Sequence, residues 1–160
     1  MRLAKKEGND MRELLFRGRR VDNADWVYGN YLAVNYAAPV IITDADMEDN
    51  SCLDIDDYYH VEASTVGQYT GLKDKKGKRI FEGDIIHHEK AYGEILFGEY
   101  ESKAGGSEIG FYIKWHDQIY DGYYRNDIKY WIDEGAFVVG NIHDNQTKIN
   151  LSQIKGGENA

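Results

Sequence analysis

The sequence has one cysteine, Cys52, and one proline, Pro39. A lone cysteine excludes an intramolecular disulfide and any four-cysteine zinc site, and it suits a reducing cytoplasm, the expected location. No apolar run approaches the roughly 18 residues of a membrane helix. The N-terminus is basic but lacks the apolar stretch of a signal peptide. Positive charge is also short: 19 Lys and Arg stand against 28 Asp and Glu, a net charge of −9. Phosphate binding calls for a basic surface, so nucleic acid is not an expected partner, nor is a membrane. Helical periodicity is scarce and crossover helices are missing, which argues against a parallel α/β sheet.

What remains is strand-forming material: 13 Tyr and 17 Gly, with Val and Ile in short runs broken by turns. Residues 13–20 and 26–34 read as the arms of a hairpin around the turn cluster Asp22-Asn23-Ala24-Asp25. Residues 39–43 form a short apolar strand. Residues 59–62 resume strand character, and Ser64 or Thr65 suits the cap of a single helical turn. Asp74-Lys75-Lys76-Gly77 is a turn, with a short acceptor side chain first and Gly where positive φ is favoured. Residues 85–88 and 92–97 read as an antiparallel pair. Ile109, Phe111, Ile113 and Trp115 alternate strictly with Gly110, Tyr112 and Lys114, a strand with one apolar face. Asp121-Gly122 is a hairpin turn dipeptide. Residues 129–132 and 136–142 read as two more strands, and 147–154 as a short terminal helix. The expected fold is mainly β, an antiparallel small barrel or sandwich with few short helices. The order of glycine turn, Asp84-Ile85-Ile86, hairpin and long amphipathic strand is similar to an SH3-like barrel.

The expected organisation is one β-rich domain over 11–154, an extension over 1–10 and a disordered tail over 155–160. Lys6-Glu7-Gly8 can be encoded by AAG-GAG-GGN, a ribosome-binding sequence, with Asn9 and Asp10 as spacer before Met11. Residues 1–10 are therefore either translated upstream sequence or an ordinary extension.

Catalytic patterns are hard to find. Seven carboxylates (Asp44, Asp46, Glu48, Asp49, Asp54, Asp56 and Asp57) crowd fourteen residues. A calcium loop needs Gly at its sixth position and Glu at its twelfth. Counted from Asp44, those positions hold Asp49 and Ile55, so the segment reads as a solvated loop. The five histidines are His60, His87, His88, His116 and His143. His87 and His88 fall on opposite faces of a strand and cannot share a metal from one side. Cys52 lies among carboxylates, which suppress its thiolate. There is no GxSxG elbow and no phosphate-binding Gly-rich loop. Neither a catalytic residue, a metal nor a cofactor is expected.

Eight aromatics lie between Phe111 and Trp131, interleaved with Lys114, Arg125 and Lys129. Such a pattern can stack bases or a nucleotide. Asp117, Asp121 and Asp127 cancel the charge, so strand packing or an interface is the preferred reading.

The segment Thr65-Val66-Gly67-Gln68-Tyr69-Thr70-Gly71-Leu72-Lys73-Asp74-Lys75-Lys76-Gly77-Lys78-Arg79-Ile80-Phe81-Glu82-Gly83-Asp84-Ile85-Ile86 closely resembles the central signature of the YopX family of bacteriophage and prophage proteins. Leu15-Phe16-Arg17-Gly18-Arg19-Arg20 with Trp26-Val27-Tyr28-Gly29 resembles that family's N-terminal block. Phe137-Val138-Val139-Gly140-Asn141-Ile142-His143-Asp144-Asn145 resembles its C-terminal block, with Gln146 where the family has Pro. The resemblance implies a phage or prophage gene and a β-rich fold, and no reaction. Within the central block Glu82 is expected to pair with Arg79 or Lys78, and Asp74 and Asp84 to accept backbone hydrogen bonds. Candidate ligand-binding residues are Gln68, Tyr69, Thr70, Glu82, Tyr112, Lys114 and Arg125. The expected function is binding, to a host protein or to a second copy. The alternatives are a nucleotide-sequestering protein and a metal-dependent hydrolase.

Overall fold

Short strands of alternating polarity must share hydrogen bonds with neighbours, and here most of those neighbours are adjacent in sequence, the exceptions joining residues 16–17 to 67–68 and 137–141 to 84–87. A computed structural model describes residues 13–33, 35–48, 52–102, 105–116 and 127–144. Six strands make the first sheet: β1 (Phe16–Arg19), β2 (Trp26–Leu32), β3 (Val40–Glu48), β4 (Cys52–His60), β5 (Gly67–Lys73) and β6 (Arg79–Phe81). Their spatial order is β4-β3-β2-β1-β5-β6. The second sheet holds β7 (Asp84–His88), β8 (Ala91–Ser102), β9 (Gly106–Trp115) and β10 (Phe137–Asn141), in the order β10-β7-β8-β9. Every pairing is antiparallel. Neither sheet closes on itself, so of the two expected architectures the structure is the sandwich-like one, and the barrel, SH3-like or otherwise, is not formed.

The expected hairpin is β1–β2, with Phe16 opposite Gly29 and Arg19 opposite Trp26. Its turn is tied by the Arg20 amide donating to the Asp25 carbonyl (2.9 Å) and the Asp25 amide donating to Asn23 Oδ1 (3.0 Å). Residues 63–65 make one 3₁₀ turn. The turn at 74–77 forms as expected: Asp74 Oδ1 accepts from the Lys76 and Lys78 amides, both at 2.9 Å, and Gly77 takes φ 81°. Asp74 is buried, and its second oxygen accepts from the Val138 amide of the other sheet at 3.1 Å.

Two expectations are corrected. The acidic run is a β-hairpin and not a loop: β3 and β4 pair with Ala45 opposite Ile55, Asp46 opposite Asp54 and Met47 opposite Leu53. Apolar residues at every second position give this ladder one apolar and one acidic face, a strand pattern that the charge count hides. The stretch 129–132 is helix: α1 spans Ile128–Asp133. Asp127 caps it by accepting from the Tyr130 amide, and Lys129 pairs with Asp133 one turn on at 2.8 Å. The cap and the i,i+4 pair override the strand propensity of Tyr130, Trp131 and Ile132.

That helix covers the second sheet. Ile128, Trp131 and Ile132 pack with Ile86, Ile95, Ile113, Ala136 and Val138, and with Ile80 from β6. Each fully buried isoleucine contributes about 1.5–3 kcal/mol through lost water contact. The expected extension 1–10, the turn at Asp121-Gly122, the helix at 147–154 and the tail at 155–160 lie outside the described residues. No helix among the described residues is long and apolar enough to cross a membrane.

Candidate functional site

The three sequence blocks are far apart in the chain, and the fold brings them to one seam between the sheets. From β1, Arg17 enters the seam and is only 5% exposed. Its Nη1 donates to Asp84 Oδ1 at 2.6 Å, and its Nη2 donates to the Glu82 carbonyl at 3.0 Å. The guanidinium carbon lies 4.9 Å from the Trp26 ring and 5.0 Å from the Phe81 ring. Flat cations favour such faces. Asp84, 1% exposed, uses its other oxygen to accept the Phe81 amide at 2.8 Å. Burial pushes the Asp84 carboxyl above the usual carboxylate range, and Arg17 and the Phe81 amide pull it back.

Gly83 completes the seam. With φ 79°, it donates its amide to the Ile95 carbonyl (2.8 Å) and accepts the Ile142 amide (2.9 Å). At the rim the Trp26 indole donates to both oxygens of Asp144 at 3.0 Å. Asn141 holds the following turn by accepting the His143 and Asp144 amides at 2.9 Å, and its Nδ2 donates to Asp144 at 2.7 Å. The His143 ring centroid lies 6.0 Å from that of Trp26. Burial, then Arg17 and Arg19, hold the His143 imidazole below its ordinary value. Asp84 and Arg17 are thus sealed and committed to partners inside the fold. An ion pair so placed fixes geometry, and it has no open side on which to meet a substrate.

A second feature lies on the first sheet. The β2–β3 ladder runs from Leu32–Val40 only as far as Asn30–Ile42. Beyond it the register of β3 shifts at Asp44, and the two strands part. Gly29 sits at the fork, where an added Cβ would come within 2.0 Å of the Ile42 carbonyl oxygen. The fork opens into a groove of about 500 Å³ lined by Glu13, Leu15, Tyr28, Ile42, Asp44 and Arg79, among others.

The seven candidate residues do not gather in either place. Tyr69 is buried, packs on Phe81 at 5.4 Å and lies under Arg79. Thr70 is half-buried and donates to the Ile80 carbonyl at 2.9 Å. The Gln68 carbonyl accepts the Glu82 amide at 3.0 Å. The Glu82 carboxyl is raised by its partial burial, while Arg79 pairs instead with Glu13 at 3.1 Å. Tyr112 and Lys114 stand on β9, with Tyr112 stacked on Tyr100 at 5.4 Å. Arg125 lies outside the described residues. The histidines are dispersed as well. His87 packs on Tyr92 and Phe137, His88 on Trp131, and His60 faces the Ala38 carbonyl. Among the described residues no three His, Cys, Asp or Glu side chains come close enough to hold a metal. The seam residues Arg17, Trp26, His143 and Asp144 belong to the N- and C-terminal blocks, but no local pattern marks them as partners, because Trp26 and Asp144 are 118 residues apart.

The fold and the seam define a class: a mainly β protein of two open antiparallel sheets, joined by a buried Arg17–Asp84 pair, the Asp74–Val138 hydrogen bond and packing of Ile80. A family model described as "YopX protein" matches residues 15–150, and the chain belongs to the YopX family. A search of curated proteins finds no match.

Proposed function

We propose that this protein is a phage or prophage accessory protein that acts by binding, without catalysis, in the cytoplasm of its bacterial host. The observation that carries the reading is where the apolar side chains are left outside. On the β3–β4 hairpin Leu53 and Ile55 are 58% and 42% exposed, and Tyr58 on the same strand is exposed as well. They alternate with the acidic face of the same arm, which suits a partner that is apolar and basic. The Arg17–Asp84 pair of the N-terminal and central blocks is, by contrast, buried in the seam. The test uses two baits in lysate from infected host cells, the native chain and a Leu53→Lys/Ile55→Lys variant. A protein held by the first and lost by the second supports the reading. Equal capture by both, or a phosphoesterase activity that His143→Ala abolishes, overturns it.

The groove at the β2–β3 fork favours a second reading, a small-ligand binder. Its volume suits one small molecule, and Arg79 with Tyr28 offers a cation and a ring. Thermal stabilisation by a nucleotide at about millimolar concentration, lost in Tyr28→Ala, is the expected result. No shift across the common nucleotides removes this reading.

A further inference from the structure

Loops between strands are ordinarily polar, and their positions of left-handed backbone ordinarily go to Gly, Asn or Asp. Three residues other than glycine take positive φ here: Ala24 at 62°, Tyr36 at 62° and Glu89 at 50°. Ala24 carries only a methyl group, and Asn23 and Asp25 tie its turn. Glu89 is charged and exposed, at home in water. Neither account fits Tyr36. A bulky side chain at such a φ is strained, and strain of this kind concentrates at sites of function.

Tyr36 stands in the loop that joins β2 to β3. The ladder between those strands closes with Leu32 opposite Val40. From 33 to 39 the sequence holds no charged residue. The Tyr36 side chain is 107% exposed, so its whole surface faces outward. Ala33, Ala37 and Ala38 around it are exposed as well, and so is Leu32 at 46%. Glycine after Asn35 would take the same φ without strain. The chain carries there instead a large ring that its own packing does not use.

The foot of this loop is fixed although its tip is bare. Pro39, Val40 and Ile41 are buried. The Val61 amide donates to the Pro39 carbonyl at 2.9 Å, the Val21 amide donates to the His60 carbonyl at 3.0 Å, and His60 Nδ1 lies 3.2 Å from the Ala38 carbonyl. These bonds set Val21, 56% exposed, at the base of the loop, so that Val21, Leu32 and Tyr36 share one apolar end of the first sheet. An aromatic ring on a fixed foot loses little freedom when it is covered, which is why Tyr is favoured at the centre of protein interfaces.

We infer that Tyr36 is the anchor of a protein–protein interface: its ring enters an apolar pocket of the partner, and Val21 and Leu32 close round the mouth. The inference rests on the binding reading above and names the residue that holds the partner. Below His60 on β4 stand the exposed carboxylates of Asp54, Asp56 and Asp57, so the matching rim of that pocket is basic. The same carboxylates oppose the other medium that an apolar tip could enter, a bilayer with anionic headgroups.

The experiment replaces Tyr36 of the full chain with the photo-crosslinker benzoyl-phenylalanine in infected host cells. The expected result is one protein adduct, whose attachment point, mapped by peptide mass spectrometry, lies in an apolar pocket flanked by Lys or Arg. With that partner purified, Tyr36→Gly should weaken binding by about thirtyfold or more, and Tyr36→Phe by less than about fivefold. Tyr36→Gly should at the same time melt no lower than the native chain, because it relieves the strained φ. Affinity lost while stability is kept is a result that a purely structural role cannot give. Adducts only to lipid, only to a second copy, or to scattered surface positions overturn the inference. So does a Tyr36→Gly chain that binds as the native one does, or one that melts well below it. A partner lost on Leu53→Lys/Ile55→Lys but giving no adduct at Tyr36 sinks this inference and leaves the binding reading standing. No partner by either route sinks both.

Discussion

Arg17→Met keeps most of the length of the Arg17 side chain and removes its charge. It deletes the bonds to Asp84 Oδ1 and to the Glu82 carbonyl, and it leaves a 1% exposed carboxylate with only the Phe81 amide for company. Breaking one side of a buried ion pair costs about 3–5 kcal/mol, more than the hydrogen bonds alone, because the orphaned charge stays buried. At this chain length each kcal/mol moves the melting temperature by about 2–4 °C, so a fall of roughly 6–20 °C is expected. Adding Asp84→Asn removes the orphaned charge and keeps an acceptor for the Phe81 amide. The double variant should therefore be about 2 kcal/mol more stable than the two single losses predict. The loss also depends on pH. Burial raises the Asp84 carboxyl and Arg17 opposes that rise, so removing Arg17 raises it further. The folded variant then holds a proton at pH values where the unfolded chain, with a carboxyl near 3.9, has released it. Its deficit is therefore small near pH 4 and grows as pH rises through the folded value. Urea unfolding followed by tryptophan fluorescence, with Trp26 lying against the pair, at pH 4.5 and pH 8 measures both effects. A deficit below about 1 kcal/mol, or one independent of pH, would refute the claim that this pair holds the seam.

Two further outcomes are expected. Gly67→Ala places a methyl 2.5 Å from the Glu82 carbonyl oxygen and should cost about 1–3 kcal/mol in thermal unfolding, whereas Gly106→Ala, with nothing within 4 Å, should be neutral or better. His143 should titrate below 6.5 by NMR; since its folded form takes up a proton less readily than the unfolded chain, stability should fall as pH drops below about 6.5, and His143→Phe should remove that slope.

Local features of the fold were legible wherever turn chemistry and alternation agree. Asp22–Asp25 and Asp74–Gly77 are turns because short acceptor side chains, Asn23 in the first and Asp74 in the second, satisfy nearby backbone amides, which a sequence states directly. The β3–β4 arm was missed because seven carboxylates outweighed an alternation that Ala45, Leu53 and Ile55 do carry. α1 was missed because Tyr130, Trp131 and Ile132 favour strands in isolation, and only the Asp127 cap argues otherwise. The seam was illegible for a deeper reason. Arg17 and Asp84 are 67 residues apart, and one arginine among several on a basic stretch carries no local sign that it will be buried. Tyr69 and Thr70 were candidates because polar side chains in a distinctive motif invite a ligand, but their hydroxyl-bearing side chains belong to the packing of the first sheet.

The stitching at Gly83 bears on how the chain can come apart. The ladders of both sheets join mostly sequence neighbours and can form early, hairpin by hairpin. The Arg17–Asp84 pair and the Trp26–Asp144 contact close loops of 67 and 118 residues, so they are expected to close last. A chain cut between β6 and β7 would leave Arg17 without its counter-charge and Asp84 without its cation. Neither half would then be a folded piece, and the two sheets should melt together in a single transition.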